Sequence, residues 1–163
     1  MLTFAVSYDI ILKKAGVIME LKIKKFNELT TDELYEIIKA RIDIFVVEQN
    51  CPYSELDGKD RECYHVFYEE GGKILAYCRV APRGVVYESV TIGRVITVAR
   101  KTGLGKLLIK EAVNAAIEKF GAEKIEIGAQ IQAQGFYEKC GFKVTDNEYV
   151  EDGIPHVMMY MQL

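Results

Sequence analysis

The most constraining feature of the chain is an apolar strand that passes through a short glycine loop into an amphipathic helix. Residues 90–98 are β-branched and apolar, as in a strand buried against its neighbours. The loop Arg100-Lys101-Thr102-Gly103-Leu104-Gly105 follows, and apolar residues then recur at helical spacing as far as Phe120. Glycines let a backbone approach a bulky anion, and a helix N-terminus presents unpaired N–H groups. We therefore expect an anion cradle, although a tight turn with solvated lysines is the structural alternative.

The loop differs from two common phosphate-binding sequences. The chain contains no G-x-x-x-x-G-K-[S/T], and the third glycine of G-x-G-x-x-G would fall on Leu108. The loop instead fits the pattern R/Q-x-x-G-x-G/A, with Arg100, Gly103 and Gly105 in its fixed positions.

Charge narrows the class of ligand. The net charge of −3 argues against a nucleic-acid partner, because such binding rests on neutralising phosphates. The exception is a basic cluster around the loop, which favours a small anion: Arg100, Lys101, Lys106 and Lys110. The four cysteines and two histidines lack the spacing of a zinc site, and no apolar run approaches membrane-spanning length. Sparse, unpatterned cysteines fit a reducing cytoplasm.

The whole pattern predicts one α/β domain, a mixed central sheet flanked by helices in the order β-α-β-β-β-α-β-α-β-β. Strands are predicted at 21–26, 63–69, 74–80, 90–98, 124–129, 142–144 and 156–161, and helices at 31–49, 104–120 and 133–140. We assign residues 19–163 to this domain. Residues 1–18 are interpreted as a peripheral N-terminal extension without chemistry, either an extra strand or a poorly ordered arm.

A second motif lies at residues 130–142 and matches N-x-x-A-x-x-x-Y-x-K-x-G-F at Ala133, Tyr137, Lys139, Gly141 and Phe142, with Gln130 in place of the usual asparagine. With both motifs in this order, the chain resembles the GCN5-related N-acetyltransferases (GNAT) from about Glu20 to its end. Two further stretches resemble the ElaA-like branch: Phe45-Val46-Val47-Glu48-Gln49 and Glu151-Asp152-Gly153-Ile154-Pro155-His156.

The resemblance implies a GNAT domain that moves an acetyl group from acetyl-CoA to an amine, by direct attack in a ternary complex. It implies coenzyme contacts at Val95, Ile96, Thr97, Arg100, Lys101, Thr102, Gly103, Leu104, Gly105, Lys106, Gln130, Tyr137 and Lys139. The segment before Arg100 is about two residues shorter than is usual in the family. Which residues of 95–98 face the thioester is therefore open by one register step, which in a strand means the opposite face.

Three residues are candidates for the chemistry. The amine must arrive neutral, so a carboxylate or a histidine should take its proton, and Glu48 and His156 are the candidates. Tyr137 matches the family tyrosine that gives a proton to the departing thiolate. The structural alternatives are a solvated carboxylate at a helix end, a hydrogen-bonded histidine and a core tyrosine.

The predicted acceptor-binding residues are Glu48, Tyr53, Asp57, His65, Arg79 and Arg94. Arg79 and Arg94 lie in apolar strands and need partners, which Glu48, Asp57 or Asp60 could supply. A packed role competes with a site role for His65. Acidic residues could form a mouth for a cationic acceptor or simply a solvated surface: Asp57, Asp60, Glu62, Glu151 and Asp152.

We expect acetyl-CoA as co-substrate without a metal, and a small-molecule or peptide amine as acceptor. We expect no nucleic-acid or membrane partner and a cytoplasmic protein, and we leave a homodimer open. The alternative function is a non-catalytic CoA- or acyl-CoA-binding sensor or interaction module, because the fold does not fix the function.

Overall fold

The computed structural model describes residues 10–14, 17–98 and 100–163. Its strands are β1 Ile10–Lys14, β2 Val17–Lys25, β3 Tyr64–Glu70, β4 Lys73–Ala81, β5 Val90–Thr97, β6 Lys124–Gln130, β7 Lys143–Glu151 and β8 Ile154–Gln162. Its helices are α1 Thr31–Arg41, α2 Leu104–Phe120 and α3 Gln134–Lys139. The strands form one mixed sheet in the order β1-β2-β3-β4-β5-β6-β8-β7, which confirms the predicted fold class.

Helices pack on both faces of this sheet. Neighbouring residues of a strand point to opposite faces, so the central strands present apolar side chains to the helices on both sides. In β4, Ala76 and Cys78 pack in the larger cluster beneath α2. Tyr77 lies between them in sequence and packs in a second cluster with Ile37 of α1. Alanines at three buried positions of α2 bring that helix close to the sheet: Ala112, Ala115 and Ala116.

The helix predicted at 31–49 divides into two parts. The predicted capping box is present: Glu33 N–H donates to Thr30 Oγ1 (3.1 Å), and Thr30 N–H donates to the Glu33 carboxylate (2.9 Å). After Arg41 the chain continues as a π-helical segment, Ile42–Glu48. The Gln49 N–H donates to Ile44 O, five residues back, so the turn is wider than that of an α-helix.

The C-terminal hairpin is longer than the sequence predicts. The strand predicted at 142–144 extends through the polar run 145–148 to Glu151. This edge strand is mostly exposed, and its register shifts between Val144 and Glu148, so it shows no apolar alternation to detect. The predicted acidic turn joins β7 to β8, with Asp152 (φ 49°) and Gly153 (φ 78°) both in the left-handed region.

The N-terminal edge of the sheet is a β1–β2 hairpin, with Ile10 opposite Leu21 and Lys14 opposite Val17. Strand β2 begins at Val17 and therefore crosses the boundary placed between residues 18 and 19. The rest of the predicted extension, residues 1–9, 15 and 16, lies outside the described residues. No helix in the described part of the chain is long and apolar enough to cross a membrane.

The parallel pair β5–β6 is short. The two strands are paired only at Val90–Ile125 and Thr91–Glu126. Beyond these pairs they diverge, and β6 keeps its other neighbour, β8, along its whole length from Lys124 to Gln130. The divergence leaves an opening in the middle of the sheet.

Candidate active site

A cleft of about 500 Å³ occupies the opening between β5 and β6. Its walls come from β4, β5, β6, the loop after the π-helical segment and the β7–β8 turn. The cleft gathers the following sequence-predicted residues: Tyr53, Asp57, Arg79, Arg94, Val95, Ile96, Thr97, Arg100, Gln130, Tyr137 and His156.

A β-bulge in β5 forms one wall of the cleft. Tyr77 pairs with Ile96 and Arg79 pairs with Gly93, so the single residue Cys78 faces two residues, Arg94 and Val95. Neither of these two has a ladder partner in β4, and β6 has already diverged. The regular ladder is therefore interrupted at these two residues, beside the cleft.

The bulge determines which face of the sheet the side chains after it occupy. The Ile96 side chain packs in the cluster beneath α1, while Val95 packs against the cluster beneath α2. Arg94 has a φ of 53°, in the left-handed region that few non-glycine residues adopt. The alternation of side chains between the two faces of the sheet is therefore interrupted at Arg94. Counting residues back from the loop cannot reveal this interruption.

The two loop glycines serve different purposes. Gly103 has a φ of 81° and precedes α2, so it provides the left-handed turn that was expected. Gly105 lies inside the first turn of α2, where a Cβ would sit 3.3 Å from Phe136 Cζ and Thr97 Cγ2. Gly105 therefore allows close packing of α2, α3 and β5, in addition to any approach of a ligand.

The surroundings of this loop suit an anion. The side chain of Leu104, the first residue of α2, is buried in the core. The first turn of a helix leaves N–H groups without partners inside the helix, and Lys101 and Lys106 are exposed beside it. Lys106 and Lys139 line a neighbouring hollow on α2 and α3, so Lys139 lies outside the main cleft.

Glu48 contacts the guanidinium of Arg100 rather than lining the cleft. Both side chains are more than half exposed. Glu48 is the last residue of the π-helical segment, and Arg100 belongs to the loop before α2. As a candidate base, Glu48 is thus turned toward a cation and not toward the space an acceptor would fill.

Three arginines and three carboxylates form a closed ring beside the cleft, and three of these residues line it: Asp57, Arg79 and Arg94. The ring runs from Arg41 to Glu55 (2.8 Å), Arg94 (2.7 Å), Asp57 (3.4 Å), Arg79, Asp60 (3.1 Å) and back to Arg41 (2.8 Å). Arg41, Glu55 and Arg79 are no more than 3% exposed. Opposite charges alternate around the ring, so its formal charge is zero.

The ring identifies the partners of Arg79 and Arg94, the two arginines that lie in apolar strands. Asp57 and Asp60 bind Arg79 as expected, but Glu48 is not a partner of either arginine, and Glu55 takes that place beside Arg94. Burial would raise the pKa of Asp60, but the hydrogen bond and charge of Arg41 outweigh it and hold that pKa below its usual value. Arg79 does the same for the pKa of Asp57.

Fewer unpaired acidic residues line the cleft than the sequence predicts. Asp57 and Asp60 are neutralised by arginines, and Glu62 lines a different hollow. Only Glu151 and Asp152 remain from that set as acidic residues of the cleft without an ion pair among the described residues.

Tyr137 lies half-buried in α3 with its ring against Phe136 (5.1 Å between centroids) and Phe142 (6.0 Å). Its hydroxyl makes no hydrogen bond within the described residues, and the residue lines the cleft. Burial raises the pKa of Tyr137, so the hydroxyl keeps its proton at physiological pH. The side chain therefore offers a proton donor to the cleft.

His156 is held in one orientation at the cleft. Its Nδ1–H donates to Ile154 O (2.7 Å), and its ring stacks on Tyr149, with centroids 5.4 Å apart. Its Nε2 has no partner among the described residues, where every fully buried side-chain nitrogen and oxygen is satisfied. The residue is 8% exposed and lines the cleft, so Nε2 is the nitrogen that reaches the open space.

The aromatic wall beside His156 depends on Gly128. The hydroxyls of Tyr87 and Tyr149 lie 3.3 Å apart. A Cβ on Gly128 would lie 2.2 Å from Tyr149 Oη and 2.6 Å from Tyr87 Oη. The absence of a side chain at this position thus makes room for the tyrosine pair.

A glutamine bridge crosses the opening. Gln130 Nε2 donates to Gln49 Oε1 (3.0 Å), and Gln132 Nε2 donates to Gln130 Oε1 (2.9 Å). Gln130 was expected at the site, whereas Gln49 was not. Gln49 directly follows the π-helical segment, and this widened turn had no signal in the sequence.

His65 does not line the cleft, and its surroundings favour the packed role over the role in acceptor binding. Its ring is fully buried, with Nε2–H donating to Asp60 O (3.0 Å) and Nδ1 accepting from the Tyr77 hydroxyl (2.8 Å). Burial lowers its pKa, which favours the neutral ring that this pattern requires. His65 braces the loop that carries Asp60.

No three His, Cys, Asp or Glu side chains in the described ranges are grouped as metal ligands.

Comparison with known sequences gives one consistent family. Residues 28–163 match the family model of an acetyltransferase (GNAT) domain. A UPF0039 protein of Schizosaccharomyces pombe is 39% identical over 149 residues, covering 89% of this chain and 98% of that protein. Protein ElaA of Escherichia coli K12 is 34% identical over 137 residues, covering 82% of this chain and 90% of that protein.

Comparison with solved structures agrees. An acyl-CoA N-acyltransferase from Pseudomonas aeruginosa superposes with a TM-score of 0.81 at 35% identity, covering 88% of this chain and 99% of that one. The crystal structure of Escherichia coli ElaA gives a TM-score of 0.81 at 32% identity, with the same coverage of 88% and 99%.

Proposed function

This chain belongs to the GNAT acetyltransferase family, and from that premise we propose that it transfers an acetyl group from acetyl-CoA to an amine by direct attack in a ternary complex. The family and the fold support an acyltransferase role. The observation that carries the finer proposal is that a strand bulge, Tyr137 and the free Nε2 of His156 border one cleft.

Arg100 in the cleft and the loop and helix start next to it fit a CoA thioester. Arg100, Lys101, Lys106 and the first N–H groups of α2 would hold its pyrophosphate. The thioester supplies the activated acyl group. The bulged segment of β5 would hold the acyl end, because the regular ladder is interrupted there and the segment lines the cleft.

Three groups of this chain then share the chemistry. The backbone N–H groups at the bulge donate to the thioester carbonyl oxygen, where negative charge develops. His156 Nε2 accepts a proton from the acceptor amine as the new C–N bond forms. Tyr137 gives its proton to the sulfur as the C–S bond breaks.

His156 suits the role of base better than Glu48. Its Nδ1–H is fixed on a backbone carbonyl, which leaves the Nε2 lone pair toward the cleft in the neutral ring. The carboxylates of Glu151 and Asp152 also line the cleft and favour approach of a cationic amine, which gives one proton to solvent before its lone pair attacks. Glu48 instead contacts Arg100, which belongs to the loop that would hold the phosphates.

An assay of thiol release from acetyl-CoA tests this proposal. The panel comprises small amines, peptides with free N-termini and peptides with a lysine side chain. We expect release that depends on one class of amine and falls by about 100-fold or more in His156→Gln. Asp43→Asn, an exposed carboxylate paired with Lys39 away from the cleft, is the control and should keep wild-type turnover.

Two results would overturn the proposal. Binding of acetyl-CoA in calorimetry without thiol release to any amine class would favour the sensor function instead. Wild-type turnover in His156→Gln would remove that histidine from the mechanism.

A further inference from the structure

We propose that Glu55 is a positioning residue for acyl transfer, acting through Arg94 on the bulge of β5. The inference rests on the proposed function in one respect, the use of the bulge to bind a thioester carbonyl. It adds a role for a residue that has no contact with the cleft, since Glu55 is absent from its walls and 2% exposed.

Glu55 joins the bulge to helix α1. Its Oε1 accepts from both Arg41 Nε (2.8 Å) and Arg94 Nε (2.7 Å), and its Oε2 accepts from Arg41 Nη2 (2.9 Å). Its backbone carbonyl also accepts from Arg94 Nη2 (3.1 Å). One residue of an otherwise irregular loop thus holds the Arg94 guanidinium at two points.

The backbone of Arg94 needs such a restraint. A non-glycine residue at a φ of 53° is strained, and it persists where the surrounding structure determines it. Besides Glu55, the Arg94 guanidinium contacts Asp57 (3.4 Å) and lies 5.9 Å from the centre of the Tyr53 ring. All these contacts come from the loop of residues 53–57, so the loop fixes the side chain and thereby the bulge.

Stability alone is a weak reason for this arrangement. Removing six charges from water is costly, and well-packed apolar residues often stabilise a fold as well as a buried ion network does. What a ring of directional contacts provides is one defined geometry. Here that geometry includes the two residues, Arg94 and Val95, at which the regular ladder is interrupted beside the cleft.

The substitution Glu55→Gln tests the role because it keeps the shape and removes the charge. Three arginines would then share two carboxylates, and Arg94, the most exposed of the three, would be the easiest to release. We expect kcat to fall by about 10- to 100-fold, somewhat less than deletion of a whole oxyanion donor. Affinity for CoA itself, which lacks the acetyl carbonyl, should change little.

Two spectroscopic readouts report on the bulge directly. Acetyl-CoA labelled with ¹³C at the thioester carbonyl should show a smaller shift on binding to Glu55→Gln than to wild type, because its oxygen accepts a weaker hydrogen bond. In the protein without coenzyme, the ¹⁵N–¹H signal of Val95 should move in the variant. The second readout does not depend on any transfer activity.

Glu33→Gln is the matched control. Glu33 is also a buried glutamate that bridges two cations, Lys22 and Lys24, but it lies at the start of α1 and far along the sheet from β5. Glu33→Gln should lower stability while leaving kcat, the carbonyl shift and the Val95 signal at wild-type values. Glu55→Asp keeps the charge and should restore part of the lost kcat.

The outcomes separate the two hypotheses. Wild-type kcat and carbonyl shift in Glu55→Gln, with a lower melting temperature alone, would overturn the positioning role. Absence of transfer in the wild-type protein would refute the proposed function, and the Val95 signal would still decide whether Glu55 sets the bulge. If Glu55→Gln does not fold, Arg94→Met breaks the same link from the exposed side and should give the same losses.

Discussion

The carboxylate of Glu48 and the guanidinium of Arg100 contact each other, although the two residues are 52 positions apart in the chain. The contact joins the end of the π-helical segment to the loop that opens α2. Arg100 is also the motif arginine expected to meet a pyrophosphate. A bound phosphate and Glu48 would therefore compete for one guanidinium.

We predict that Glu48→Gln strengthens CoA binding, because it removes the carboxylate that competes with phosphate for Arg100. The pair is exposed and screened by solvent, so the gain should be only about two- to fivefold in affinity. Turnover should persist, since His156 rather than Glu48 accepts the proton. Calorimetry with CoA and steady-state kinetics measure the two effects.

Asp43→Asn serves as the control for Glu48→Gln, because it removes a carboxylate from the same segment that pairs only with Lys39 among the described residues. It should leave CoA affinity unchanged. A loss of turnover of about 100-fold in Glu48→Gln would instead identify Glu48 as the base.

We predict that Tyr137→Phe lowers kcat by about 10- to 1000-fold, because the hydroxyl protonates the sulfur in the transition state. CoA affinity should change by less than about tenfold and the melting temperature hardly at all, since the ring still packs on Phe136 and Phe142. Kinetics and calorimetry on one purified variant give both quantities. Wild-type turnover on the best acceptor would show that Tyr137 only packs.

We predict that the protein loses stability as pH falls below about 6.5, the usual pKa of histidine. Burial lowers the pKa of His65, so the unfolded chain binds a proton that the folded protein does not. The contribution is complete above the unfolded pKa and is lost as pH falls toward the folded one. Below about 4, Asp57 and Asp60 add a second loss in the same direction, since their pKa values are also lowered.

Urea unfolding across this pH range measures the effect. In His65→Gln the first loss, at mildly acidic pH, should be smaller than in wild type, while the second loss at lower pH should remain. Equal pH dependence in the two proteins would show that His65 does not carry the first loss.

We predict that removing residues 1–16 leaves CoA affinity and turnover nearly unchanged. The cut removes β1, which pairs only with β2 and lies four strands away from β5 in the sheet order. It keeps all of β2, whose newly exposed edge should increase self-association. Kinetics and sedimentation test both points, and a large loss of turnover would show that this segment reaches the cleft.

The sequence predicts the fold where local patterns decide structure. The capping box at Thr30 and Glu33 places the start of α1, and α2 spans the predicted residues 104–120 between two left-handed glycines, Gly103 and Gly121. Most of the polar edge strand β7 was not predicted, because both of its faces are exposed. Local pattern also cannot show that α1 changes to a π-helical segment after Arg41.

The site is predicted only in part, for a related reason. Predicted residues such as Tyr137 and Arg94 line the cleft, but Arg41 and Glu55 were missed. Arg41 falls at an apolar position of a helix. Glu55 falls in a polar loop, where a charged residue is ordinary and gives no sign of burial. Their importance lies in contacts between residues 14 to 39 positions apart, which no spacing rule describes.

The short pairing of β5 with β6 makes the sheet a union of two antiparallel sheets, one of five strands and one of three. Each contains one hairpin closed by a tight turn, at Gly71-Gly72 and at Asp152-Gly153, whose contacts are near in sequence. The joint between them is held in the ladder by two residue pairs alone. The weakest backbone connection in the sheet thus lies beside the cleft, and the two halves are joined there chiefly by the side chains of the core beneath α2.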